Sequence, residues 1–114
     1  MSIFSSKMGP KIIGVVDSTS ALDNPLWKHV DALEVRLDLI EFQKWEPLLK
    51  LLRKSTLPLL GTYRETSENK DARVRTFGQW MSYFDAVDIE YDLPSCQALL
   101  TLALHQERST SLYP

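Results

Sequence analysis

The segment from Ala32 to Ile40 constrains the fold more than any other part of the chain. Long or branched apolar residues alternate with charges there, which predicts a β-strand over residues 32–40 whose successive side chains point to opposite faces. Glu34, Arg36 and Asp38 would therefore share one face. Such a face either lies in water or lines a polar site in which the charges pair, because an unpaired buried charge is very costly. The second alternative predicts a site for a ligand or a reaction.

Strand and helix patterns alternate along the rest of the chain. Apolar runs predict further strands near residues 11–16, 58–64 and 85–92. Amphipathic spacing predicts helices after residue 42, after residue 74 and over residues 97–106, with a short helix somewhere in 21–29. This order is typical of an α/β fold with a parallel sheet and crossover helices. Residues 1–9 form a polar leader, and residues 109–114 have no clear assignment.

Composition limits the class of protein. A chain of 114 residues suits one modest domain. Its net charge of -2 gives no footprint for nucleic acid or an anionic membrane, and no apolar run is long enough to span a bilayer. The single cysteine, Cys96, excludes an internal disulfide and fits a reducing compartment. The first residues also lack the apolar core of a signal peptide, so we expect a cytoplasmic location.

Charged residues recur where the predicted strands end, which is where parallel α/β folds bind ligands. They are Asp17, Arg36, Asp38, Arg64, Glu90 and Asp92. Arg36 and Arg64 together would suit an anionic or polyhydroxylated small molecule, because guanidinium groups make forked hydrogen bonds to carboxylates and hydroxyls. The simpler alternative is a set of surface arginines just past strand ends. Asp88 and Glu90 share a face, and we expect them to pair with arginines of a neighbouring strand.

The remaining chemistry-bearing residues favour structural interpretations. His29 and His105 fall at predicted helix ends, away from the carboxyl ends of strands. Cys96 lies near a helix start, but no histidine is placed to make it a nucleophile. Metal-ligand spacing and a glycine-rich phosphate loop are both absent from the sequence, so we expect neither a metal nor a cofactor.

Four short motifs, taken in order, resemble one enzyme family. They are PKII at 10–13, EVRLD at 34–38, PLL leading to TYR at 58–64, and VDIE at 87–90. Together they look like type I 3-dehydroquinate dehydratase and cover most of the chain from Pro10 to Glu90. That family folds as a (β/α)₈ TIM barrel, so the resemblance implies a half barrel of about four βα units over residues 10–108, followed by an atypical tail.

The resemblance implies a chemistry and a set of site residues. The family is a lyase of the shikimate pathway, which leads to aromatic amino acids; it dehydrates 3-dehydroquinate to 3-dehydroshikimate through a lysine Schiff base, with a histidine that moves the proton. By this resemblance Glu34, Arg36 and Arg64 bind the substrate, and Glu68 matches the acidic residue that orients the histidine. Val15 replaces a serine that often faces the family's site.

The same resemblance predicts an incomplete site. No residue of this chain matches the family's histidine or Schiff-base lysine, and Lys70 is the only lysine near the carboxyl end of a predicted strand. We therefore expect the chain to be inactive alone, and to dimerise or to need a complementing C-terminal half. Two alternatives remain: a non-catalytic α/β module that binds a quinate-like polyhydroxy acid, and an α/β protein whose charged face is merely solvated.

Overall fold

Parallel strands and helices alternate through a computed structural model that describes residues 12–20, 29–90, 95–106 and 109–113, the last segment as backbone only. The strands are β1 (Ile13–Val16), β2 (Ala32–Arg36), β3 (Leu59–Thr62), β4 (Ala86–Glu90) and β5 (Ser109–Tyr113). The helices are α1 (Trp45–Leu52), α2 (Arg73–Trp80) and α3 (Cys96–His105). All strands pair in parallel, in the order β1-β2-β3-β4-β5, and the sheet does not close on itself. The α/β prediction of a partial barrel is confirmed.

The two faces of the sheet differ in chemistry. Val35, Leu59 and Val87 lie on the face that packs against the helices and are fully buried in one apolar core. The strand register sets Arg36 beside Thr62 and Thr62 beside Asp88. Because side chains alternate along each strand, these polar residues lie on the opposite face, which we call the polar face. In a closed barrel this face would turn inward.

Each helix covers the core with a short apolar stripe. In α1 the buried residues are Trp45, Leu48, Leu49 and Leu52. Pro47 lies in the first turn, as predicted, where the amide hydrogen that proline lacks has no helical partner. The indole of Trp45 donates to the carbonyl of Ile40 at 2.8 Å, so the ring is buried without leaving its N–H unpaired. This bond ties the start of α1 to the end of the preceding loop.

Strand β2 is shorter than the sequence pattern predicted. It ends at Arg36, and Leu37–Leu39 form a 3₁₀ turn in which the amide of Ile40 donates to the carbonyl of Leu37 at 3.2 Å. The prediction of a strand through Ile40 is therefore wrong. The turn leaves Leu39 56% exposed, whereas a strand would have buried it on the helix side. It also moves Asp38 off the strand and into the loop that carries the candidate site.

The tail forms a strand that the sequence did not predict. Residues Ser109–Tyr113 pair in parallel with β4 along its whole length. Their sequence lacks the apolar run that marked the other strands, so no local pattern predicted this strand, and pairing with β4 is what defines it. Strand β4 itself is confirmed as Ala86–Glu90. The predicted helix in residues 21–29 lies mostly outside the described residues, as does Asp92.

Candidate functional site

Glu34 is held on the polar face by a short hydrogen bond. Thr62 donates through Oγ1 to Glu34 Oε2 at 2.6 Å, between neighbouring strands β2 and β3. Thr62 is fully buried, whereas Glu34 is half-buried. The bond satisfies the buried hydroxyl and restricts the carboxylate to one orientation. Glu34 therefore presents an oriented acceptor on this face, beside Val15 of β1.

Arg36 and Asp38 form a bidentate ion pair at the end of β2. Arg36 Nε and Nη2 donate to Asp38 Oδ1 and Oδ2 at 3.2 and 2.8 Å. The side chain of Asp38 is only 4% exposed, against 22% for Arg36. Two parallel bonds fix both planes, which is the strongest geometry for this pair of side chains. The 3₁₀ turn after Arg36 makes this arrangement possible, because it brings Asp38 back toward the strand that precedes it.

Arg64 follows β3, and its backbone is bound on both sides. Its amide donates to Asp38 Oδ1 at 3.4 Å, and its carbonyl accepts from Asn69 Nδ2 at 2.9 Å. Asn69 and Thr66 also exchange two hydrogen bonds, of 2.9 and 3.1 Å, which close the loop between β3 and α2. Asp38 thus links the two arginines that the sequence selected, one through its side chain and the other through its backbone.

A buried arginine that the sequence reasoning missed lies behind this loop. Arg73, the first residue of α2, is 1% exposed. It donates to the carbonyl of Tyr63 at 2.7 Å, to Ser95 Oγ at 2.7 Å and to Glu90 Oε1 at 3.0 Å. Glu90 therefore pairs with an arginine, but from α2 rather than from a neighbouring strand as predicted. The signal in the sequence was a charge four residues before Phe77, on the apolar stripe of α2.

Glu68 lies in a loop rather than on the strands of the polar face. It is exposed between β3 and α2, and it lines a cleft of about 620 Å³ between this loop and the loop after β2. Asp38, Tyr63 and Asn69 lie in the wall of the same cleft. The structure therefore brings Glu68 to the cleft that Asp38 also lines, and Asp38 is the residue that contacts both arginines of the candidate site.

Tyr63 has a perturbed ionisation within this cleft. Partial burial raises the pKa of its phenol above the ordinary value of 10.0, whereas Asn69 and Arg73 act in the opposite direction. The ring packs edge-on against Trp45 and Phe77, with centroid distances of 5.2 and 5.9 Å. These apolar neighbours disfavour the phenolate because they replace water around the oxygen.

The described histidines lie away from the carboxyl ends of the strands, whereas the described lysines lie in the loop after β3 or around α1. His29 precedes β2 and His105 ends α3, so both are near the edge where strands begin. Lys44, Lys50 and Lys54 lie in or beside α1. Lys70 lies in the loop between β3 and α2 and is exposed. Cys96, half-buried, begins α3.

Neither a metal centre nor a membrane span is found in the part of the chain that the structure describes. Those residues contain no group of three or more histidine, cysteine, aspartate or glutamate side chains placed to hold a metal ion. Within the same segments, no helix has the length and apolar character needed to cross a bilayer.

Parallel strands joined by helices, with oriented carboxylates and guanidinium groups on and after β2 and β3, are consistent with part of a (β/α)₈ barrel. The family model described as Type I 3-dehydroquinase matches residues 16–111. The chain belongs to this family, which implies a dehydroquinate dehydratase-like role in the shikimate pathway and a small-molecule substrate. The resemblance drawn from the sequence is therefore confirmed. A comparison with curated proteins finds no match.

Proposed function

We propose that this chain supplies the substrate-binding part of a dehydroquinase site, with Glu34, Arg36 and Arg64 as the binding residues. The observation that carries the proposal is the set of three preformed contacts around them. Thr62 orients the Glu34 carboxylate, and Asp38 orients the Arg36 guanidinium while it accepts from the Arg64 amide. A carboxylate that accepts hydroxyl hydrogens beside guanidinium groups that donate to a carboxylate matches the chemistry of a polyhydroxy acid.

The chain alone is proposed to bind the substrate without turning it over. Schiff-base chemistry needs an amine nucleophile in the site, and the described lysines other than Lys70 lie around α1. The described histidines lie at the edge where strands begin. A second chain with the family's C-terminal half would supply the missing groups, in a cytoplasmic setting. Glu68 would then orient the histidine.

A second candidate function is a non-catalytic module that binds a quinate-like polyhydroxy acid. The same preformed contacts favour it, because they orient binding groups and need no catalytic lysine or histidine. The two functions differ in what a complementing half would do. A dehydroquinase half-site gains turnover when the missing groups are supplied, whereas a binding module does not.

The test combines turnover, trapping and binding. We would add 3-dehydroquinate to the purified chain, follow the ultraviolet absorbance of the conjugated enone product, and read the protein mass after borohydride addition. Quinate binding would be measured by calorimetry for the unchanged chain, for Arg64→Ala and for Arg75→Ala, an exposed arginine of α2. We expect binding without product or adduct, weakened about 10- to 100-fold by Arg64→Ala alone, since a charge-assisted hydrogen bond contributes roughly 1.5–3 kcal/mol.

Three results would contradict parts of this proposal. Product with a trapped adduct would mean that one of the chain's own lysines, Lys70 first, has been recruited. Absence of quinate binding, or equal loss in Arg64→Ala and Arg75→Ala, would remove the binding assignment. No turnover on addition of the C-terminal half of a type I dehydroquinase would favour the binding module.

A further inference from the structure

The backbone around Arg64 is held by side chains from four separate parts of the fold. Arg73 Nε donates to the carbonyl of Tyr63 at 2.7 Å, and Glu90 Oε1 accepts from the amide of Glu65 at 2.9 Å. Asp38 and Asn69 hold the amide and the carbonyl of Arg64 itself. These four contacts restrain the main chain before, at and after Arg64, although this residue lies beyond the last paired residue of β3.

Arg73 and Glu90 form the buried end of this arrangement. Their ion pair spans 3.0 Å, with side-chain exposures of 1% and 17%. An apolar side chain of similar volume would fill the same space without the desolvation cost that a buried ion pair carries. Unlike an apolar side chain, the two charged side chains also hold specific neighbours in place. Their other hydrogen bonds go to the main chain just after β3 and to Ser95 just before α3. All of these atoms lie at the carboxyl edge of the sheet.

We infer that Arg73 and Glu90 are positioning residues, which act on the ligand through Arg64. This inference rests on the proposed role of Arg64 in binding a polyhydroxy acid. Arg73 fixes the residue before Arg64, Glu90 fixes the residue after it, and their mutual ion pair locks the two restraints together. Because the main chain is already fixed, binding of a carboxylate by the Arg64 guanidinium does not have to order this part of the loop.

The test uses a double variant, Arg73→Met with Glu90→Leu, which leaves no unpaired buried charge and removes the acceptor of the Glu65 amide. In the full chain we expect it to fold, to show faster amide hydrogen exchange at Glu65 and to bind quinate about tenfold more weakly. Arg53→Met is the matched control, since Arg53 also pairs with a carboxylate, Asp85 Oδ2 at 3.3 Å, but at the opposite edge of the sheet. It should change neither the exchange rate at Glu65 nor the Kd for quinate.

A positioning role is separated from a merely structural one by non-additivity. If Arg73 and Glu90 act through Arg64, the double variant should weaken binding far less in an Arg64→Lys background than in the unchanged chain. Equal weakening in both backgrounds would overturn the inference, as would an unchanged Kd in the double variant. If the unchanged chain fails to bind quinate, both the proposed function and this inference are wrong. Equal weakening in both backgrounds, or an unchanged Kd in the double variant, would contradict this inference alone and leave the proposed function intact.

Discussion

The hydrogen bond between Thr62 and Glu34 is the contact on the polar face whose loss is simplest to isolate. The Thr62 hydroxyl is fully buried and donates at 2.6 Å to a half-buried carboxylate. Valine has nearly the same shape as threonine, so Thr62→Val removes the donor with little change in packing. The substitution therefore reports on the hydrogen bond rather than on the volume of the core.

We expect Thr62→Val to lower the free energy of unfolding by about 1.5–3 kcal/mol, because hydrogen bonds to charged groups contribute that much. It should also weaken quinate binding, since Glu34 loses its orientation. Urea denaturation and calorimetry would measure the two effects. Thr101→Val on the exposed side of α3 is the control. Equal effects in both variants would show that the loss of a threonine hydroxyl in general, not this bond, is responsible.

Ionisation of Tyr63 should make the fold less stable in alkaline solution. Burial raises the pKa of its phenol above 10.0 in the folded chain, so the folded state holds the proton more tightly than the unfolded state. The resulting stabilisation is complete below the unfolded pKa of about 10 and is lost as pH rises through the folded pKa. Urea midpoints measured between about pH 8 and 11 should fall at the alkaline end, and Tyr63→Phe should fall less. An identical fall in Tyr63→Phe would assign the effect to another group.

The sequence located some residues of the candidate site and missed others for physical reasons. Strand alternation was enough to put Glu34 and Arg36 on one face, because that period survives in β2. Asp38 was assigned to a strand although it lies in a turn, and its link to the Arg64 amide depends on the pairing of two strands. Arg73 lies on an apolar helical stripe, where a charge breaks the expected pattern. Its hydrogen-bond partners lie near the ends of three different elements, which come together only in the folded chain.

At the scale of elements, two glycines allow close packing: one in β3 against a buried ring, and one in α2 against a side chain of α3. A Cβ on Gly61 would lie 2.5 Å from Cδ2 of the buried Phe84 ring, which sits between α2 and β4. On Gly78 of α2, a Cβ would lie 2.8 Å from Cδ1 of Leu102, the far end of a flexible, half-buried side chain. The first contact meets a packed ring within the core, and the second meets a methyl group that can rotate away.

We therefore expect the fold to tolerate an alanine at Gly78 but not at Gly61. Gly61→Ala should lower the free energy of unfolding by about 1–3 kcal/mol through overpacking. Gly78→Ala should be close to neutral, because alanine in a helix gains roughly 1 kcal/mol over glycine and offsets the displacement of Leu102. Chemical denaturation of both variants measures the difference. A larger loss for Gly78→Ala than for Gly61→Ala would mean that Phe84 moves more easily than Leu102.

The boundaries of elements were predicted well where the residues of a periodic apolar pattern also pack against the core. Helices α1 and α3 were predicted within a few residues, because their apolar stripes face the core. Strand β2 was predicted too long because the alternation continues through the 3₁₀ turn at Leu37–Leu39. Strand β5 was missed for the opposite reason: Ser109–Tyr113 pair with β4 without an apolar pattern of their own. The pairing of β5 depends on residues far away in the sequence, so the segment itself carries no pattern from which the strand could be predicted.

At the scale of the whole molecule, the open sheet leaves apolar surface beside the polar face. Among the described residues β1 pairs only with β2, and Ile12, Ile13 and Val15 are 61%, 42% and 47% exposed. An edge strand with exposed apolar side chains is a template for pairing with another chain. Val15 also lies beside Glu34 in the strand register, so a chain that covered β1 would cover part of the candidate site as well.

We expect the chain to self-associate through β1, and a lysine at Val15 to suppress this association by placing a charge on the edge. Sedimentation velocity over a wide range of concentrations would measure it: the weight-average sedimentation coefficient should rise with concentration for the unchanged chain and stay nearly flat for Val15→Lys. Leu104→Lys, at a 71% exposed position on α3, is the matched control and should associate like the unchanged chain. If the unchanged chain sediments as a monomer at every concentration and melts sharply at a temperature independent of concentration, β1 is not an association surface.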